Sequence, residues 1–352
     1  MSRVLLLTRH FNDNCGTVFQ TYATCELLKQ CGHEVSVLNL TDRSYIKELC
    51  SLKGILRALT IIKFALFRKK YFSNLTRQIS RMSDFKQFDA DYIVVGSDQV
   101  WNKSVTKSLF KDYFLVSVPD NIQRISLASS FAGDSWKEQD SDTNEISEAL
   151  HKFVAVSVRE DSGVLICNQV FNIPATQLVD PTLALGDFTC FISRNLKERN
   201  EVLFYSFKSD GYVKKVVDYI TTKTGAKARS ITIVKRNERN KYLLAHPFSL
   251  GPKDWLNYIA RSKYIVTDSF HGIVFSILNH RQFVAVRAHE DRFSRIESLL
   301  KLLCLQNRIA LSFEEFVSNY EQYMSPIDYK YVDEIITSQR ELFYSFIRKN
   351  IK

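Results

Sequence analysis

The sequence predicts an α/β chain of two Rossmann-like domains facing a central cleft, followed by a helical C-terminal tail. Three observations predict it. Short apolar runs alternate with helix-period segments twice over, once before and once after Pro181. The 352 residues exceed what a single core usually organises, so length favours about two domains. The apolar runs also end in polar clusters, as strands of an open parallel sheet do where loops carry function.

In chain order, Arg3–Thr8 reads as a strand, His10–Gly16 (HFNDNCG) as a polar loop, and Thr17–Gln30 as a helix. Gly32 ends that helix and Glu34–Leu40 is the next strand. The loop of this β-α-β unit lacks GxGxxG, so it carries no dinucleotide fingerprint. Asp91–Gly96, Ile125–Phe131 and Phe153–Val158 follow as strands, and Gln177–Asp180 runs into Pro181-Thr182, a sharp stop. The second set comprises strand Glu201–Phe207, helix Tyr212–Thr224, strand Ala228–Val234, helix Pro252–Arg261, strand Tyr264–Thr267 and strand Gln282–Val286. The expected divisions are 1–185, 186–311 and a polar helical tail, 312–352.

Composition is that of a soluble globular protein without low-complexity tracts. Seven cysteines, odd in number and without CxxC spacing, fit reduced thiols in a cytoplasmic protein. Val4–Leu7 is too brief for a secretory h-region, and no zinc or EF-hand pattern occurs. The net charge of +10 is concentrated: 42–81 holds ten basic and two acidic residues, a local +8. Within it Leu52, Ile55, Leu56, Leu59, Ile62 and Leu66 recur at helical spacing. Two readings stand: a basic amphipathic helix in peripheral contact with an anionic membrane surface, or a core-facing helix with a solvated basic back. No nucleic-acid motif accompanies the charge, so nucleic acid is not an expected partner.

Four strand-end clusters are candidate sites: Asn14/Gly16, Ser97/Asp98/Gln99, Arg159/Glu160 and Asp268/Ser269/His271. The last is the most informative. The strand stops at Thr267-Asp268-Ser269, then His271 and Gly272 lead into an apolar helix. A helix starting there directs its positive end at the crevice, beside a residue type that titrates near neutral pH. Ser269 as a plain cap and His271 as a packed residue is the competing reading. An Arg at a strand end suits carboxylate or phosphate, or an ion pair with Glu160 or Asp161. Asp98 reads as a base or a helix cap, and Asn14 and Gly16 as turn residues. Arg287, Arg292, Arg295 and Arg308 crowd the region after Gln282–Val286, either for a phosphate ester or as a solvated face.

In this order the residues resemble the polysaccharide pyruvyl transferase family. The blocks are N-x-G-T-V-x-Q-x-Y-A at Asn14–Ala23, V-G-S-D-Q-V-W-N at Val95–Asn102, S-V-R-E at Ser157–Glu160, D-P-T-L at Asp180–Leu183, T-D-S-F-H-G at Thr267–Gly272 and R-I-E-S-L-L at Arg295–Leu300. The resemblance implies a glycosyltransferase B-like fold. It also implies transfer of pyruvyl from phosphoenolpyruvate, as co-substrate and with no other cofactor, to two hydroxyls of a surface polysaccharide or its lipid-linked precursor. A cyclic ketal is the product. It further implies that Arg159 binds the donor's anionic groups and that His271 is catalytic. Asp98 or Asp268 deprotonates the hydroxyl or orients the imidazole. Where some members carry Arg two residues before the His, this chain has Ser269, so Arg287, Arg292 or Arg295 must supply the cation. Ser269 and Gly272 complete the donor side; Asn14, Gly16, Ser97 and Gln99 form the acceptor side. The alternatives are a nucleotide-sugar glycosyltransferase on the same fold and a non-catalytic glycan-binding or scaffold member. The expected location is cytoplasmic, at the inner face of the membrane if the basic helix binds it.

Overall fold

A computed structural model describes residues 1–11, 13–41, 57–72, 74–84, 89–206, 212–231, 243–244, 250–287 and 293–352. The architecture is α/β, in two compact units: Met1–Lys47, Leu66–Leu185 and Ile336–Lys352 form the first, Glu48–Ala65 and Gly186–Ile335 the second.

The first unit holds strands β1 (Arg3–Leu7), β2 (Glu34–Val37), β3 (Tyr92–Val95), β4 (Gln123–Ser126) and β5 (Phe153–Ala155), in the order β2-β1-β3-β4-β5. Every pairing is parallel. Their near-continuous apolar character, with Val4, Leu5, Leu6 and Leu7 all buried, is what a sheet covered on both faces requires. One face packs Leu5, Leu7, Ile93 and Val95 against Trp101, Phe114 and Ile146. The expected strand Phe153–Val158 is divided: β6 (Ser157–Val158) leaves the large sheet and pairs with β7 (Thr176–Gln177). Ser126 and Ser157 cause the break. Ser157 Oγ donates to the Ser126 carbonyl at 2.8 Å and Ser126 Oγ donates to the Ser157 carbonyl at 2.8 Å, so side chains replace the ladder.

The second unit holds β8 (Arg199–Tyr205), β9 (Lys227–Ser230), β10 (Leu243–Leu244), β11 (Ser262–Thr267), β12 (Gln282–Val286) and β13 (Ile309–Ala310). They run parallel in the order β10-β9-β8-β11-β12-β13. Helix Tyr212–Thr224 buries Val213, Val216, Val217 and Ile220, a three-and-four spacing that places one stripe against Val202, Phe204, Val266 and Val284. Helix Pro252–Arg261 starts with Pro at its first position, and Asp254 Oδ2 accepts the Gly251 N–H at 2.9 Å.

The basic region provides helix Ala58–Tyr71; its expected extension, including Leu52, Ile55 and Leu56, lies outside the described residues. The helix packs inward through Ile61, Phe64 and Phe67, whereas Leu59, Ile62 and Leu66 of the expected apolar stripe point to solvent. Two apolar faces share one period here, and the aromatic-bearing face is the one buried. Arg68, expected on the solvated side, is buried too. The tail forms helices Phe313–Ser318, Tyr320–Met324 and Tyr329–Asn350. Its last part belongs to the first unit: Arg340 Nε donates to the Ala184 carbonyl at 2.8 Å, Tyr344 Oη contacts Gln30 Oε1, and Ser2 Oγ donates to the Lys352 carbonyl. Among the described residues, no helix is long and apolar enough to cross a membrane.

Candidate functional site

In each unit the strand order reverses at one point, and the crevice outside the carboxyl ends there is where open α/β sheets bind ligands. In the first unit that point lies between β1 and β3. Thr8 Oγ1 donates to the Ser97 carbonyl at 2.8 Å and Gln20 Nε2 donates to Thr8 Oγ1 at 2.8 Å, tying both strand ends to helix Cys15–Gln30. Asn14 is that helix's N-cap, its Oδ1 accepting the Thr17 N–H at 3.2 Å. Gly16 is therefore a buried helical residue; the turn expected of it is corrected, because the Asn14 cap starts the helix before it.

Asp98 holds φ at +78°, a left-handed conformation rarely adopted without need by a residue bearing a side chain. Its Oδ2 accepts from Thr17 Oγ1 at 3.3 Å and lies 3.5 Å from Arg9 Nη1. The following short helix, Lys103–Thr106, has Asn102 and not Asp98 at its N-cap. Gln99 is half-buried beside it. Arg9, with its side chain 18% exposed, is a cation at this mouth that the sequence reading passed over.

Arg159 and Asp180 are buried, their side chains 2% and 0% exposed, and Arg159 Nη1 donates to Asp180 Oδ2 at 2.8 Å. Ser97 Oγ donates to the same oxygen at 2.9 Å, while Thr182 N and Oγ1 donate to Oδ1 at 3.0 and 2.6 Å. Glu160 lies 3.9 Å from Arg159 Nε and accepts from Ser130 Oγ at 2.8 Å and Ala132 N at 3.0 Å. Arg159 thus does form an ion pair, but chiefly with Asp180, read as the end of a strand and the start of the D-P-T-L block, rather than with Glu160 or Asp161. The signal available was the D-P-T-L block itself. A third group ties down the loop after β1: Arg68 Nε donates to the His10 carbonyl at 2.7 Å and Nη2 to the Phe11 carbonyl at 3.0 Å. Burial lowers the His10 pKa from 6.5 to about 3, so its imidazole stays neutral, with Nδ1 3.1 Å from the Thr8 carbonyl.

In the second unit the reversal lies between β8 and β11. Ser206 follows one strand and Asp268 the other, and Ser206 Oγ donates to Asp268 Oδ2 at 2.8 Å. Ser269 is the N-cap of helix Phe270–Leu278, its Oγ accepting the Gly272 N–H at 3.2 Å. His271 sits in the helix's first turn, 9% exposed, its ring edge-on to Phe270 with centroids 5.4 Å apart. A Cβ on Gly272 would come within 2.6 Å of Thr267 Oγ1, so glycine lets the helix start against β11. Below it Trp255 packs edge-on to both Tyr205 and Phe275, at 5.6 and 5.2 Å.

The cations differ in placement. The buried Arg295 guanidinium lies over the Phe270 ring at 6.0 Å. Arg287, its side chain 37% exposed, lies 3.8 Å from Glu297. Arg308 is turned inward, Nη1 donating to the Tyr323 carbonyl at 2.6 Å, so it belongs to the scaffold. Arg292 lies outside the described residues. Tyr212 joins this neighbourhood unannounced. Burial raises its pKa to about 12, with Glu315 and Asp268 adding to the rise and Arg287 opposing it, and its Oη donates to the Ala310 carbonyl at 2.9 Å.

The profile of the polysaccharide pyruvyl transferase family matches residues 14–290. No curated protein matches the chain. Among solved structures, a UDP co-structure of MnaA from S. aureus superposes with TM-score 0.59 at 10% identity, covering 100% of this chain and 98% of that one. The UDP-GlcNAc 2-epimerase of Neisseria meningitidis, bound to UDP-GlcNAc, gives 0.57 at 12% identity, covering 99% and 100%. A glycotransferase of kitacinnamycin gives 0.52 at 10% identity, covering 100% and 99%. At these identities the likeness is one of fold, glycosyltransferase B-like.

Proposed function

This chain belongs to the polysaccharide pyruvyl transferase family, and on that premise we propose that it moves pyruvyl from phosphoenolpyruvate to a sugar, forming a cyclic ketal. The acceptor in this reading is a sugar of a surface polysaccharide or its lipid-linked precursor, used on the cytoplasmic side. The observation that carries it is His271 in the first turn of a Ser269-capped helix at the β8–β11 reversal, with Arg295 over the adjacent Phe270.

Phosphoenolpyruvate needs a proton on its methylene carbon. His271 supplies it, leaving oxocarbenium character on the central carbon; a general acid contributes about 10²–10⁴-fold. A sugar hydroxyl adds there as a carboxylate takes up its proton, phosphate then leaves with the C–O bond pair, and the second hydroxyl closes the ketal as its proton returns to His271. The helix start and Arg295 or Arg287 offset the donor's negative charge. Asp98 and Asp268 are the two carboxylates offered for the hydroxyl proton. We assign Asp98, strained and beside Arg9, to the acceptor side with Asn14, Ser97 and Gln99, and Asp268, held by Ser206, to the donor side. Arg159 already has Asp180 as its partner, so we assign it to holding Ser97 and the loop above it rather than to direct donor contact.

The test is phosphate release from phosphoenolpyruvate across a panel of glycosides and lipid-linked sugars. Acceptor-dependent release that His271→Ala abolishes supports the proposal. No release with any acceptor, together with no calorimetric binding of phosphoenolpyruvate, defeats it, and nucleotide sugars become the ligands to try.

A further inference from the structure

Helix Ala58–Tyr71 carries a surface that the transfer reaction does not use. Leu59, Ile62 and Leu66 are 60%, 47% and 60% exposed, while Ile61, Phe64 and Phe67 on the other side are 3%, 1% and 4% exposed. At 100° per residue the three exposed side chains form one strip along the helix. Lys69 borders it on one side, and Lys63 and Lys70 border it on the other; all three lysines are exposed. Lys63 Nζ is held by Asp254 Oδ2 at 2.7 Å. Lys69 and Lys70 follow the strip's last member, in a segment of charge +8.

We propose that this face seats the protein on an anionic bilayer surface. The three aliphatic side chains enter the headgroup–acyl boundary, and Lys69 and Lys70 lay their stems along them with ammonium groups among the lipid phosphates. A strip of this size with a basic border suits a shallow interfacial contact. A second copy is the poorer occupant, because pairing two such faces would set like-charged lysines against one another. Seating on a bilayer by this face does not depend on the transfer chemistry.

The test is flotation of the full chain with vesicles of phosphatidylcholine alone and of phosphatidylcholine with phosphatidylglycerol. The wild-type protein floats with the mixed vesicles only, and added salt weakens the association. Lys69→Gln with Lys70→Gln lowers the partition coefficient about 25-fold, from roughly fivefold for each charge near the surface. Leu59→Gln, Ile62→Gln and Leu66→Gln together abolish flotation, with thermal midpoints unchanged because all three sites face solvent. Failure of the wild type to float, equal flotation with neutral vesicles, or wild-type flotation by either variant overturns the proposal. A concentration-dependent dimer that the triple variant dissolves overturns it in favour of self-association. Phosphate release with a soluble acceptor is measured alongside and is unaffected by any of these substitutions.

Discussion

Ser206 Oγ donates to Asp268 Oδ2 across 2.8 Å, and the two residues directly follow β8 and β11, the strands between which the strand order of the second sheet reverses. The bond fixes one carboxylate oxygen immediately before the His271 helix. Ser206→Ala releases that oxygen. We expect a stability loss of about 1 kcal/mol in urea unfolding and a larger fall in kcat than in phosphoenolpyruvate binding. Equal kcat for Ser206→Ala and wild type would remove Asp268 from the mechanism.

Arg159 and Asp180 make a buried pair, so deleting one member strands the other. Arg159→Ala should cost roughly 3–5 kcal/mol, read as a lowered urea midpoint. Adding Asp180→Asn should recover part of it. If Arg159→Ala keeps wild-type stability but loses phosphoenolpyruvate binding, the arginine is a direct donor ligand, as the family resemblance implied.

Asp98→Asn separates charge from shape. Asn tolerates the left-handed backbone that Asp98 adopts, so the backbone should be kept while the lost charge beside Arg9 and Thr17 costs about 1–3 kcal/mol. Turnover should fall by roughly 10²-fold or more if the carboxylate accepts the hydroxyl proton. Undiminished turnover would leave that role to Asp268.

Much of this was legible before any coordinates. Tyr212–Thr224, Pro252–Arg261 and Gln282–Val286 have the bounds their periodicity predicts, because each carries one unambiguous apolar stripe or run. The candidate clusters were legible because polar residues abruptly end apolar strands. The Arg159–Asp180 bond was not, since the D-P-T-L block marks Asp180 without naming the partner it meets. Nor was the orientation of Ala58–Tyr71, where Leu59/Ile62/Leu66 and Ile61/Phe64/Phe67 satisfy the same period equally well. The division of Phe153–Val158 depended on Ser126, a residue on a different strand.

Gly272→Ala sets a methyl 2.6 Å from Thr267 Oγ1. The helix start must shift, so we expect about 1–3 kcal/mol of destabilisation and a drop in activity exceeding what the stability loss explains. Calorimetric melting beside initial rates separates the two; full activity would mean the helix start can move without consequence.

His10 gives the fold an acid limit. Its folded pKa, about 3, lies below its unfolded value of 6.5, so between these the unfolded state binds the extra proton. Its contribution is complete above pH 6.5 and is lost as pH falls toward 3, at up to about 1.4 kcal/mol per pH unit. His10→Gln should flatten the urea midpoint over that window. An unchanged slope would mean that other groups set the acid limit.

The return of Ile336–Lys352 to the first unit orders events during synthesis. The second unit draws on nothing after Ile335, so all of its chain has been made while the first still lacks its final helix. The unit that begins first is thus completed last. Lys352 meets Ser2 just before β1 and Tyr92 at the start of β3, so this amino-terminal edge of the first sheet lacks its last contacts until the second unit's chain has been made.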